Sequence, residues 1–155
     1  MKVLLTAMAI ALIAFYFYSK HKNDKVAAEN QVAAQAFLQQ NAKDPNVITT
    51  SSGLQYKVLV DAEGPKPSAS SNVEVHYHGT LIDGQVFDSS VERGQTISFG
   101  LNQVIPGWTE GLQLMSVGSK YQFFIPAHLA YGNRNAGIIK PGSLLIFEVE
   151  LFSIK

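Results

Sequence analysis

The stretch "GQVFDSS", residues 84–90, sets the Phe87 ring beside the Asp88 carboxylate just past a tight turn, and two serines follow. An acid next to two hydroxyls invites a nucleophilic reading, but that chemistry needs a histidine base oriented by a second group. No histidine stands near Ser89 or Ser90 along the chain, and there is no cysteine to serve in their place. Ser89 and Ser90 read as turn residues, and Asp88 taken alone as a turn or capping carboxylate. His76 and His78 share one face of a strand, the spacing of a metal pair. No third ligand of matching specificity accompanies them, so a solvated strand face is expected and no metal. What is left is an aromatic and an acid without a nucleophile.

The elements that must position them follow from periodicity. "LQYKVLV" (54–60) reads as a strand and "DAEGPKPSASS" (61–71) as a loop rich in Pro, Ser and Gly. "NVEVHYHGTL" alternates, with Val73, Val75 and Tyr77 facing one way and Glu74, His76 and His78 the other. Asp83-Gly84 predicts a hairpin turn with positive φ at both central positions. "TISFG" (96–100) is a short strand, and Pro106-Gly107 opens a short helix with Trp108, Leu112 and Met115 at i, i+4 and i+7. "KYQFFIP" and "SLLIFEVELFSI" are strands, the second apolar enough to be central. The sum is an α+β fold, an antiparallel sheet of five to six strands wrapped over one short helix.

A chain of 155 residues without net charge suffices for one domain plus an appendage. No basic stripe is present, which argues against nucleic acid as a partner. The absence of cysteine excludes disulfides, thiolate metal sites, a cysteine nucleophile and a lipid-modified N-terminal cysteine.

The appendage is N-terminal. "VLLTAMAIALIAFYFY", Val3 to Tyr18, carries no charge and is followed by Lys20, His21 and Lys22. As a helix it spans ~24 Å, a little short of the ~30 Å hydrocarbon core, though flanking lysines can snorkel. Its closing Phe15, Tyr16, Phe17 and Tyr18 fit a signal-peptide cleavage site badly and resemble an interfacial belt. Residues 1–22 are therefore expected to be an uncleaved transmembrane anchor. Residues 25–43 predict a helix started by Asn23 or Asp24 and stopped by Pro45. Val26, Ala33, Phe37 and Ala34, Leu38 give it a narrow apolar stripe, which fits self-association, packing on the next domain, or a mostly solvated spacer.

Taken together, "VEVHYHGTLIDGQVFDSSVERG", "NQVIPGWTEGLQLMSVGSKYQFFIP", "LAYGN" and "GIIKPGSLLIFEVELF" closely resemble the FK506-binding-protein family of peptidyl-prolyl isomerases. The resemblance covers about residues 51 to 155, two thirds of the chain. "AFLQQNAKDPNVITTSSGLQYKVL" is similar to the join between helix and catalytic domain in the bacterial macrophage-infectivity-potentiator branch. The implied organisation is an anchor (1–22), a helical spacer (23–50) and an isomerase domain (51–155).

The same resemblance implies the pocket. Its aromatic walls and floor match Tyr77, Phe87, Trp108 and Phe147, and its polar rim matches Asp88, Arg93 and Tyr131. The backbone donor is the amide of Ile105, beside Val104, and the flap contributes Ile138 and Ile139. The sequence departs from the family's eukaryotic type in two places. The flap is one residue shorter, with Asn135 the nearest counterpart of a histidine, and Ile97 replaces an aromatic. The implied reaction explains the missing nucleophile. An X–Pro bond isomerises over ~18–20 kcal/mol without any covalent bond breaking. An apolar box favours the twisted, less polar amide over the planar ground state, and fixed donors orient it.

The implied partners are proline-containing polypeptides and macrolides of the FK506 or rapamycin type, with no cofactor. A membrane contact through the N-terminal segment and a homodimer through the 25–43 helix are further expectations. The alternative function is a membrane-tethered binding or chaperone module that uses the same pocket, with catalysis incidental. Lysines after the anchor favour a domain on the cytoplasmic face; the resemblance, to a branch that works in the periplasm or at the cell surface, favours the periplasmic face, and a single-pass inner-membrane protein with its domain there is the placement expected.

Overall fold

The computed structural model describes the backbone of residues 2–155 and the side chains of residues 6–155. Alternation decides the sheet. β-Branched and aromatic residues on every second position give strands whose inner face is buried and whose outer face is wet. Among the described residues these are β1 (Val47–Thr49), β2 (Gln55–Val60), β3 (Asn72–Thr80), β4 (Val86–Ser89), β5 (Ile97–Gly100), β6 (Lys120–Ile125) and β7 (Leu145–Ile154). In space the order is β1-β2-β6-β7-β3-β4, with β5 also paired to β3, and every pair is antiparallel. The α+β class is as expected. The sheet has seven strands because the three-residue β1, too short to show a period, pairs with β2.

β3 buries Val73, Val75 and Tyr77 and turns Glu74, His76 and His78 outward, following its sequence pattern. Across the inner face lies the helix α3 (Pro106–Leu114), whose Trp108 and Leu112, with Met115 at its C-cap, are buried in one core with Phe123, Ile125 and Val149. The 3₁₀ turn before it is tied down by Thr109, whose hydroxyl donates to the Leu101 carbonyl at 2.6 Å. The β3–β4 connection differs from the expected turn. Gly84 has φ +85°, but Asp83 stays out of the left-handed region. Instead Leu81 accepts from Gly84 N at 3.0 Å and the Asp83 carboxylate accepts from Gln85 N at 3.0 Å. This is a three-residue loop, not a two-residue one.

At the N-terminus a single helix, α1, runs from Lys2 to Asn41 through the boundary expected near residue 22. Neither Asn23 nor Asp24 starts a new helix, since the helix formers on both sides propagate through them. Its C-terminal half packs on the domain: Ala27 and Ala34 are buried, Phe37 meets Phe124 at 5.8 Å, and Asn41 Nδ2 donates to Gln55 Oε1 at 2.9 Å. Of the expected stripe, Ala34, Phe37 and Leu38 turn towards the domain, whereas Ala33 is exposed. Beyond the helix, Asp44 pairs with Lys57 at 2.8 Å. The hydrogen bond from Lys57, with those from Asn46, holds the Asp44 pKa down at about 2.

The anchor is a correction. Met1 lies outside the described residues, as do the side chains of residues 2–5. Among the described residues no helix is long and apolar enough to cross a membrane. The uncharged run is too short for the hydrocarbon core, and α1 continues from it directly into Lys20, Lys22, Asp24 and Lys25. The single-pass inner-membrane placement, with its domain on either face, is therefore not supported. The apolar side chains from Met8 to Tyr18 stand exposed along α1 instead.

Candidate active site

β3 and β7 place two aromatic rings on the inner face of the sheet, Tyr77 and Phe147, whose centroids lie 6.2 Å apart. β4 brings Phe87 edge-on to Phe147 at 5.2 Å. Gly79 makes this possible: a Cβ there would fall 2.6 Å from Phe87 Cζ and 2.9 Å from Phe147 Cε1. From below, α3 inserts Trp108 edge-on to both Tyr77 (5.3 Å) and Phe147 (5.1 Å). Pro106 at the first helical position fixes that entry. T-shaped pairs of this kind satisfy the ring quadrupoles and hold each ring in place. Together with Ile97, Val104, Ile105, Tyr131 and Ile139 they line a cavity of about 830 Å³.

The rim is polar. Asp88, next to Phe87 on β4, accepts from the Tyr77 hydroxyl at 2.5 Å and from Arg93 Nη1. Arg93 Nη2 also donates to the Tyr77 oxygen at 3.0 Å. Burial works against the Asp88 carboxylate, but the hydrogen bonds from Tyr77 and Arg93 outweigh it and hold its pKa below the ordinary value. Burial, and then the bond to Asp88, push the Tyr77 phenol above its ordinary value. The bonds to Asp88 and Tyr77 likewise keep Arg93 charged. All three groups hold one protonation state around neutrality. Such groups suit anchoring better than proton exchange.

Ser89 and Ser90 do meet histidines, a contact the sequence does not show. His76 Nδ1 lies 2.9 Å from the Ser90 hydroxyl, and His78 Nδ1 lies 2.9 Å from that of Ser89. Neither is a nucleophile. Ser90 is fully buried, and its hydroxyl accepts from Tyr77 N at 2.8 Å and donates to Tyr77 O at 3.3 Å. Ser89 caps the short helix α2 (Ser90–Arg93), accepting from Glu92 N at 3.1 Å. These serines stitch the Asp88–Arg93 segment to β3.

The comparisons with known proteins agree with this geometry. Residues 64–152 match the FKBP-type peptidyl-prolyl cis-trans isomerase family, and residues 4–58 match the domain amino terminal to that isomerase. The chain belongs to the FKBP-type isomerase family. It is 55% identical over 137 residues to the FKBP-type peptidyl-prolyl cis-trans isomerase FkpA of Aeromonas hydrophila, covering 88% of this chain and 51% of that protein. It is 49% identical over 133 residues to the outer membrane protein MIP of Legionella longbeachae, covering 85% and 57%. The chain thus spans a little over half the length of these relatives. The crystal structure of FkpA from Escherichia coli superposes with a TM-score of 0.86 at 41% identity, covering 96% of this chain and 71% of that one. The match over residues 4–58 includes most of the segment expected to be a membrane anchor, which here belongs to the family's amino-terminal domain.

Within this FKBP-type domain, the structure brings Tyr77, Phe87, Asp88, Trp108, Tyr131 and Phe147 around one cavity, with Ile97, Val104, Ile105 and Ile139. Arg93 stands behind Asp88 on the rim. Ile138 lies apart: it is 44% exposed and lines a neighbouring groove with Ala33 and Ile82. Asn135, expected as the nearest counterpart of a histidine in the eukaryotic type, turns away and donates to Asn23 on α1 at 3.4 Å. Phe99 and Arg134 also line the cavity. Phe99 had a signal, the inward position of "TISFG" two residues after Ile97; Arg134 had none.

Proposed function

We infer that this chain accelerates cis–trans rotation about X–Pro bonds, using the cavity over Trp108 as an apolar box. The observation that carries this reading is the ring set of Tyr77, Phe87, Trp108 and Phe147 closing on one cavity, beside an anchor pair whose protonation is fixed. A proline ring on the Trp108 face leaves water behind. The amide then loses resonance in surroundings that favour its less polar, twisted state, so binding is tighter at the transition state than at the ground state. Ile105 caps α3 with its carbonyl engaged by Trp108 N at 2.9 Å. Its own amide has no protein acceptor among the described residues and is free for a substrate carbonyl. Asp88, held by Tyr77 and Arg93, fixes the opposite wall. No step transfers a proton or forms a covalent bond.

The proposed substrates are proline-containing polypeptides, and macrolides of the FK506 or rapamycin type are the proposed competitors. The alternative, a binding module in which catalysis is incidental, differs in rate and not in affinity. The test is exchange NMR on a short X–Pro peptide, free of any coupling protease. Cis–trans exchange should rise well above the uncatalysed timescale of tens of seconds or more, and a stoichiometric macrolide should return it to that rate. Binding of the peptide without faster exchange establishes the binding module instead. The pairing expected through the 25–43 helix moves along α1, because Ala27, Ala34 and Phe37 face this chain's own domain; the exposed apolar side chains from Met8 to Tyr18 supply a surface for a second copy. A mass by light scattering twice that of the 16.9 kDa chain would support that pairing.

A further inference from the structure

α1 touches the catalytic domain at a telling place. Asn23, Ala27, Asn30, Gln31 and Ala34 recur at i, i+4, i+7, i+8 and i+11, one face of a helix. Through Asn23, Ala27, Asn30 and Gln31 that face meets the flap, residues 131–142, whose far side lines the cavity through Tyr131, Ala136 and Ile139. Asn30 Nδ2 donates to the Pro141 carbonyl at 2.8 Å, Gln31 Nε2 to Asn133 Oδ1 at 3.2 Å, and Asn135 Nδ2 to Asn23 Oδ1 at 3.4 Å. Ala27 is 2% exposed, and its backbone lies so close to Gly142 that a Cβ there would fall 2.4 Å from the Ala27 carbonyl oxygen.

Gly142 is the point of close approach in this contact. Its φ of +75° is one that glycine adopts without strain, and its amide donates to the Gly132 carbonyl at 2.8 Å, next to Tyr131 on the cavity wall. At its tip the flap is held by one narrow bridge, with Ala136 N donating to Ile139 O and Ile139 N to Ala136 O, each at 2.9 Å. A loop with so few internal bonds is easily displaced unless something packs behind it. Here the helix packs behind it.

We propose that α1 braces the flap over the proline pocket, and that Ala27 and Asn30 are positioning residues for isomerisation. The proposal rests on the isomerase reading for its kinetic consequence, but not for its structural one. A braced flap contributes binding to ground and transition states alike. Loosening it should raise KM more than it lowers kcat.

The test uses the full chain with Asn30→Ala, Ala27→Gln and, on the opposite face of α1, Glu29→Ala as control. Hydrogen exchange at the Ala136 and Ile139 amides should rise about ten-fold in the two brace variants, with β3 and β7 unaffected. KM for an X–Pro peptide should rise about three-fold or more with kcat within about two-fold, and Glu29→Ala should match the parent chain. Asn30→Ala loses only one half-buried hydrogen bond and keeps the test available if Ala27→Gln fails to fold. Unchanged flap exchange in Asn30→Ala, or the same change in Glu29→Ala, overturns the brace. A parent chain that does not accelerate isomerisation overturns the isomerase reading instead, and the exchange data still decide the brace.

Discussion

The Tyr77 hydroxyl donates to the Asp88 carboxylate at 2.5 Å, joining the middle of β3 to the end of β4 at the rim of the cavity. This bond and that from Arg93 outweigh the burial that would raise the Asp88 pKa. Because the folded value is depressed, the linked stability is present above the unfolded carboxylate pKa. It is lost as pH falls through the folded value.

Tyr77→Phe tests that bond. Asp88 and Arg93 are about half exposed as a pair, so solvent screening limits the cost in stability to about 1 kcal/mol or less at neutral pH. The difference from the parent should shrink as acid protonates Asp88, which urea titrations at a series of pH values would show. Turnover should suffer more than stability, because the rim loses its orientation; a loss of about ten-fold in kcat/KM is expected. A variant as active as the parent would remove Asp88 orientation from the mechanism.

Gly79 and Phe87 give a paired test of the box. Phe87 is only half-buried, so Phe87→Ala should cost about 2 kcal/mol, below the ~3–5 kcal/mol of a core phenylalanine. Gly79→Ala keeps every ring but drives a methyl against Phe87 and Phe147. Both should fold and both should lose isomerisation. If Gly79→Ala retains parental kcat/KM, the ring arrangement is not what catalysis depends on.

Trp108 reports the floor. It is the single tryptophan and is 5% exposed beneath the cavity. A macrolide seated on its face should change its emission in proportion to occupancy. Calorimetric binding at saturation without any change in emission would place the ligand elsewhere.

Much of this was legible from local pattern. The alternation of "NVEVHYHG" placed Tyr77 inward, and Pro106-Gly107 placed Trp108 at the start of a helix. The family motifs brought the remaining wall residues. What stayed hidden were contacts between distant segments. Asn30 bonds to Pro141 and Asn135 to Asn23 across more than a hundred residues, and polar side chains at those positions carry no local signal. The His76–Ser90 and His78–Ser89 pairs depend on the β3–β4 register, which shifts by one residue between Thr80–Val86 and Gly79–Asp88, an irregularity that local pattern does not announce. The anchor reading failed on length: the uncharged run from Val3 to Tyr18 falls short of the hydrocarbon core, and flanking lysines do not make up the difference.

On the isomerase reading, an apolar box with fixed anchors rotates the X–Pro bond without proton transfer. The direct measurement is kcat/KM for one X–Pro peptide across pH, with the folded fraction checked at each point. Against burial, the bonds from Tyr77 and Arg93 hold the Asp88 pKa below its ordinary value, and burial holds that of Tyr77 above its own, so kcat/KM should be level between about pH 6 and 9. A limb near ~6.5, or a bell centred on neutrality, would bring a histidine base into the chemistry and contradict the account.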